Sequence, residues 1–466
     1  MVDLIPSSSA SSAAPSPVEK PSLPDPEPVA EVFGADHDEK KSLPDASDTS
    51  ADSSGYQLQS HERYPPDYGI KAWTCVFGAF CGIFASFGYI QVIGVFTEYY
   101  GQHQLQTYSS SQIAWITSVQ TWLTVFCGVI VGRLYDIFGP TPLIIPGAII
   151  MNLGIMMTSL CTEYYQFILA QGICTALGAS LLFNPCVSAI STWFVKRRAT
   201  ASGIANAGSS LGGVIIPIIF RNVEKRAGFG WGVRAVGFLL TFFSVLCCLT
   251  VTSRLNPPGR QPIRFYQNYL KPFGIPEFGL AAGGVCLAYW GLFIPISFVP
   301  NHAVAHGFSQ TLSSYLISIQ NAASCFGRVV PGLLADKLGR FNMYVFGAFL
   351  CAILTSALWI PASSHVAIIM YAALYGFSSG IAFTLWQPMI ADISPPQQVG
   401  ARMGAVSAAL SFSSLFGMPV AGAIIDANNG SYWGAAVFAA CMMAAGGVVA
   451  FFSKLVLTNW NIFSLK

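Results

Sequence analysis

The chain has 466 residues, of which 53% are hydrophobic, 13% aromatic and only 9% charged. Charge that sparse, with a mean hydropathy of +0.55, excludes an ordinary soluble domain and points to a membrane protein. The net charge of +2 is unevenly placed, because residues 1–68 hold 13 of the 21 acidic residues and 4 of the 23 basic ones, so that a tail of net −9 precedes a remainder of net +11.

The tail, with "SSSASSAAPSP" and "PSLPDPEPVAE", is rich in Ser, Pro, Asp and Glu and nearly lacks aromatics. Such a segment cannot bury enough apolar surface to offset its ordering entropy, so residues 1–68 are expected to form a disordered, solvated cytoplasmic tail. It lacks the basic start and short apolar core of a secretory leader, which leaves targeting to the first membrane helix.

Beyond residue 70 the chain breaks into apolar runs of about twenty residues or more, the length that crosses a hydrocarbon core of about 30 Å. They predict spans over 71–97, 111–133, 141–160, 166–193, 199–220 and 231–253, then 277–300, 311–335, 341–361, 365–392, 401–425 and 431–456. The predicted fold class is an all-α membrane protein of two six-helix bundles, 69–253 and 277–466, joined by a polar, Pro-rich linker over 254–276. On the tail's side of the membrane the short loops hold eleven basic residues, among them Arg133, Lys196, Arg197, Arg198, Lys337, Arg340 and Arg402. The far side holds Arg221, Lys225, Arg226 and Arg234, all between the fifth and sixth spans. That asymmetry places both termini in the cytoplasm. All twelve cysteines fall in or at the edge of a predicted span, which suits helix packing better than a disulfide framework.

The two sets repeat each other. "GRLYDIFGP" from Gly132 returns as "GLLADKLGR" from Gly332, and "LLFNPCVSAIS" returns as "TLWQPMIADIS", which lays Asn184-Pro185 over Gln387-Pro388. "SGIANAGSSLGGVIIP" has a looser echo in "MGAVSAALSFSSLFGMP". Duplicated halves imply a pseudo-two-fold architecture with its binding site between them near mid-membrane. Asp136 and Asp336 fall where a helix meets the interface, so each can accept hydrogen bonds from a neighbouring helix N-terminus or pair with Lys337, Arg340 or Arg402. Gly208 and Gly212, four apart on one face, allow close helix approach.

Arg328 stands eight residues before Asp336, so it lies about 12 Å inside its helix. Asn321 and Ser324 share its face. A membrane arginine faces a cavity or a partner rather than lipid, and no helix offers a carboxylate at this depth, so the missing anion is expected to be the substrate. A guanidinium fork suits a carboxylate. Asn184 and Gln387, beside prolines that kink their helices, are further candidates for the cavity, with interhelical hydrogen bonding an equal alternative.

The C-terminal loop pattern, Gly332, Asp336, Lys337, Gly339 and Arg340, resembles the signature of the major facilitator superfamily. The N-terminal copy keeps Gly132, Asp136 and Gly139 but has Ile137 and Pro140 in place of basic residues. The resemblance implies transport by alternating access, with both loops latching the outward-facing state and the N-terminal latch the weaker. Within that superfamily, "DYGIKAW" at Asp67 to Trp73 and "WFVKRRATASGIANAGSSLGG" from Trp193 resemble motifs of the monocarboxylate transporters, and the similarity runs from about residue 67 onward. It implies that Arg328 binds a substrate carboxylate. Family members that carry protons pair that arginine with an aspartate and a lysine, whose places are taken here by Ser324 and Gln91. Gln91 can hydrogen-bond a substrate but cannot carry a proton.

These readings together lead us to expect a gradient-driven carrier of a monocarboxylate-like organic anion in the plasma membrane, with the vacuolar membrane as the other placement and protons as a candidate coupling ion. Similarity to fungal members with long acidic tails adds an exporter of a secondary metabolite or a vitamin carrier as alternatives, and a non-transporting sensor as a third. No metal-ligand spacing, nucleophile–base set or nucleotide-binding loop is present in the sequence, so no enzyme activity, cofactor, metal or nucleic-acid partner is expected.

Overall fold

In lipid every backbone N–H and C=O must find a partner within its own segment, so the apolar runs fold as helices. A computed structural model describes residue 67 and residues 69–255, 269–362, 364–461 and 464, and these form twelve helical spans. In the first half they are α1 (Ile70–Gln102), α2 (Ser110–Phe126 continued by Gly128–Phe138), α3 (Thr141–Thr158), α4 (Tyr164–Trp193), α5 (Arg198–Ala227) and α6 (Phe229–Thr250). The second half has α7 (Pro276–Ala305), α8 (Gln310–Leu338), α9 (Arg340–Trp359), α10 (His365–Asp392), α11 (Val399–Ala427) and α12 (Trp433–Leu457).

Local chemistry repeats with the fold. Ser109 caps α2 and Ser309 caps α8, each side chain accepting from the backbone N–H three residues on. At the other ends of the same helices, Gly139 (φ 80°) and Gly339 (φ 92°) make the left-handed turn that stops the helix and starts the next. The duplication read from "GRLYDIFGP" and "GLLADKLGR" therefore holds down to the caps.

Eleven spans are long and apolar enough to cross a membrane by composition. The exception is α8, where Gln320, Asn321, Ser324 and Arg328 interrupt the apolar run. Several helices outrun the predicted windows, because hydropathy marks only the lipid-exposed stretch and a helix continues into water. Thus α5 runs on to Ala227 and carries Arg221, Lys225 and Arg226 on helix rather than loop. Arg221 reaches Glu98 of α1 at 3.7 Å, and Arg234 donates to Ser159 Oγ at 3.1 Å. Two of the four basic residues on the far side thus have partners on neighbouring segments.

Within the halves, α1 packs on α5, α4 and α6, while α7 packs on α12 and α11 and α8 on α10. Between the halves the main contacts are α5 with α8 and α2 with α11. Since the repeat superposes α2 on α8 and α5 on α11, these two interfaces are images of one another.

The expected tail over 1–66 and the linker residues 256–268 lie outside the described residues. The tail's boundary moves, however: Asp67 is buried, 8% exposed, and its backbone N–H donates to Trp193 at 3.0 Å. At the far end of the linker, Lys271–Gly274 forms a short 3-10 turn that leads into α7.

Candidate functional site

Helix α1 is interrupted at Gln91 and Val92, and α4 and α10 carry prolines at Pro185 and Pro388. Between the halves lies a cavity with about 740 Å³ of empty space, mouth included. Its walls are mainly aromatic and aliphatic, with Phe87, Phe183, Phe293, Phe383 and Trp386, and its polar groups are few: Gln91, Thr121, Asn206, Ser209, Gln387, Ser407 and Ser414 beside Arg328 and Tyr289.

Arg328 is 4% exposed. It donates from Nη1 to the Asn206 carbonyl at 2.6 Å and to the Ser209 hydroxyl, and its guanidinium lies 6.0 Å from the centre of the Phe383 ring. Neither hydrogen-bond partner carries a negative charge, and Nε has no partner. No acidic side chain is among the described residues lining the cavity. A buried cation held only by neutral groups keeps its full demand for a counter-charge.

The other expected site residues separate. Gln91 and Gln387 line the cavity, and Gln387 accepts from Asn206 Nδ2 at 2.8 Å, a bond between the halves. Asn184, Asn321 and Ser324 are not among the lining residues. Asn184 bonds back to Ser180 of its own helix, by Nδ2 to the carbonyl and the hydroxyl, both at 3.1 Å. Asn321 bonds the Ile317 carbonyl and lies flat against Gly213 of α5, where an added Cβ would stand 2.8 Å from its Cγ. Ser324 packs against Gly380 of α10. Sequence reasoning missed Asn206 and Ser209, having taken "ASGIANAGSSLGG" for packing material. The run does both jobs: Gly208 and Gly212 face α1 against Phe80 and Gly88, while Asn206 and Ser209 face the cavity.

One end of the cavity is closed by carboxylates that bond across the halves. Asp336 of α8 caps the start of α5, accepting from Ala199 N at 3.0 Å and from Thr200 N and Oγ1 at 2.8 and 2.7 Å. Arg340 donates to the same carboxylate from Nε and Nη2 at 3.1 and 3.0 Å. Asp136 of α2 caps the start of α11, accepting from Gly400 N at 2.9 Å and Ala401 N at 2.7 Å. Both use the orphan N–H groups of a helix N-terminus. The N-terminal copy offers its carboxylate no guanidinium hydrogen bond among the described residues, since Pro140 stands in the place of Arg340 and Arg133 of the same copy acts on Asp136 only as a nearby charge, and Ala401 offers a methyl where Thr200 offers a hydroxyl.

Arg340 also bonds Asp392 at the end of α10, and Arg198 reaches that carboxylate at 2.6 Å. From sequence Arg198 reads only as a topology charge, and Asp392 carries no signal. Of the expected partners, Lys337 is exposed, and Arg402 donates to the Ile393 carbonyl and lies over the Phe278 ring.

Gly132 and Gly332 let the halves touch. A Cβ on Gly132 would lie 2.0 Å from the Gly400 oxygen, and one on Gly332 would lie 2.8 Å from the Ala199 oxygen. Gly132→Ala is therefore expected to prevent closure and to slow transport the more strongly, Gly332→Ala less so. Gly422→Ala, with nothing within 4 Å, is expected to leave the rate unchanged. Flux measured for the three variants in vesicles checks this order.

Repeated helical halves that enclose a cavity and seal it at one end with polar contacts across their boundary define an alternating-access carrier. Comparison with known proteins gives the family. The model of the Major Facilitator Superfamily matches residues 73–279 and 281–460, and the chain belongs to that superfamily. It is 43% identical over 392 residues to MFS-type transporter 1 of Ophiocordyceps sp., covering 84% of this chain and 87% of that one. It is 40% identical over 404 residues to the Fujikurins efflux protein of Gibberella fujikuroi, covering 86% of each chain. With the Aspyridones efflux protein of Emericella nidulans it shares 40% identity over 393 residues, 84% of this chain and 79% of the relative. Among solved structures, the human organic anion transporter MFSD10 (TETRAN) matches with a TM-score of 0.67 at 12% identity, over 82% of this chain and all of that one. The E. coli fucose:proton symporter FucP matches with a TM-score of 0.66 at 16% identity, over 81% and 98%. At those identities the structural likeness speaks for the fold alone.

Proposed function

We propose that this multi-pass membrane transporter exports an anionic secondary metabolite, with Arg328 anchoring the anionic group. The observation that carries the anion is the buried Arg328 guanidinium, whose protein partners are neutral. The aromatic walls suit a body more apolar than a lactate-like acid, and relatives of 40% identity are named as efflux proteins for fujikurins and aspyridones. That support favours export of a more apolar acid over uptake of a small monocarboxylate.

Asn206, Ser209 and Gln387 orient the bound anion, and Phe383 and Trp386 hold its apolar part. Asn321 and Ser324 serve the packing of α8, which carries Arg328, and Asn184 serves that of α4 on α2. The basic residues gathered at the Asp136 and Asp336 end support a reading in which that end faces the cytoplasm and the 69–253 and 277–466 bundles rock about the cavity in the plasma membrane. Asp136, Asp336 and Arg340 then form the cytoplasmic gate.

The test is flux through sealed vesicles, with a labelled panel of aromatic and enolic acids and the methyl ester of each. Acids are expected to cross and esters to fail. Equal transport of acid and ester would overturn the anion reading, and flux that needs ATP in the absence of any gradient would overturn the gradient-driven one. Running the panel with and without a proton gradient assigns the driving ion.

A further inference from the structure

The loop between α4 and α5 is gripped from two sides. On one side Asp67, just ahead of α1, accepts from three consecutive backbone N–H groups: Val195 at 3.0 Å, Lys196 at 2.9 Å and Arg197 at 3.0 Å. On the other side Arg340 of the second half donates from Nη2 to the carbonyls of Val195 at 2.6 Å and Lys196 at 3.2 Å. These are the same peptide groups. The carbonyl of Val195 and the N–H of Lys196 belong to one amide, and the carbonyl of Lys196 and the N–H of Arg197 to the next. A carboxylate and a guanidinium thus face each other through two parallel amides, each with its N–H on the anion and its C=O on the cation.

Hydrogen bonds arranged in series through a peptide polarise one another and strengthen together, the more so away from water. A charge at either end makes each link a charge-assisted bond. Asp67 is 8% exposed and is held with φ 65°, a conformation that a non-glycine residue adopts when its surroundings impose it. The same Arg340 guanidinium completes the Asp336 latch and reaches Asp392, so whatever fixes the carbonyls of Val195 and Lys196 also fixes the cation that closes the gate.

We propose that Asp67 is a positioning residue of the gate, which acts on Arg340 through the amides between them and favours the closed state. Asp67 touches no cavity residue, and the proposal does not depend on which substrate is carried. It also gives the "DYGIKAW" segment a role outside the transport path: an acid placed before the first helix to brace the loop on which the other half closes.

The proposal separates from a purely local role by hydrogen–deuterium exchange on the full chain in detergent. Residues 194–200 report the loop itself. Residues 399–403, the start of α11 held by Asp136, report gate opening at a place Asp67 does not touch. Asp67→Asn is expected to raise exchange at both segments, by about threefold or more at 399–403. With Arg340→Gln already present, adding Asp67→Asn is expected to leave 399–403 nearly unchanged, as coupled residues require. Faster exchange confined to 194–200, or an equal effect of Asp67→Asn in both backgrounds, would overturn the proposal. If Asp67→Asn fails to accumulate, Asp67→Glu and Arg340→Lys, which keep the charges but displace them, carry the same comparison.

Discussion

Arg328→Ala is expected to lose binding of the acid probes by about 10- to 100-fold, the equivalent of one charge-assisted contact of about 1.5–3 kcal/mol. Stability should behave in the opposite way from an ordinary core truncation. Arg328 carries a charge that is 4% exposed and held by a carbonyl and a hydroxyl, so in the empty protein its desolvation is poorly compensated. The alanine variant is therefore expected to melt in detergent within a few degrees of the parent or above it, while the parent alone gains stability when the acid is added. Arg328→Lys keeps the charge but loses the planar fork, and is expected to retain part of the binding. An alanine variant that binds and transports like the parent would make Arg328 a strut between α8 and α5. A variant that collapses in the absence of ligand would show that its bonds to Asn206 and Ser209 matter more than its unmet charge.

The residues that announced themselves in the sequence did so because charge is scarce there. Arg328 stands out against an apolar helix, and Asp136 and Asp336 stand out because one pattern occurs twice at equivalent helix ends. Polar uncharged residues carried less information. Asn321 and Ser324 share a face with Arg328, but helical spacing fixes an angle and not the neighbour that covers it; α5 covers Asn321 and α10 covers Ser324 before either reaches the cavity. Asn206 and Ser209 were hidden by the glycines between and beside them, since one short run supplies both the contact with α1 and the cavity wall. A stripe at Asn206, Ser209 and Gly213, turned away from Gly208 and Gly212, was the available signal. The roles of Asp392, Arg198 and Asp67 were out of reach for another reason: their partners lie 52 to 194 residues away along the chain, and only the packing of distant helices and loops brings them together.

The second large effect expected is an asymmetry between the two latches. Asp336 accepts five hydrogen bonds, two of them from a guanidinium and one from a hydroxyl, whereas Asp136 accepts two, both from backbone. Converting each to asparagine removes the charge at both and forfeits the Arg340 pair only at the first. If the Arg340 pair is worth even about 1.4 kcal/mol to the closed state, Asp336→Asn opens the gate about tenfold more than Asp136→Asn does. The measurement is the rate at which a cysteine placed at Ser407, on the cavity wall, is alkylated by an impermeant reagent from the gate side, in a background cleared of reactive native cysteines. Restoring the missing group should work in reverse: Pro140→Arg, opposite the Asp136 carboxylate, is expected to slow alkylation and transport together, because a gate held shut more firmly must be opened on every cycle. Equal rates for the two asparagine variants would mean that closure rests on the α2–α11 and α5–α8 backbone contacts at Gly132 and Gly332, with the carboxylates serving only to cap their helices.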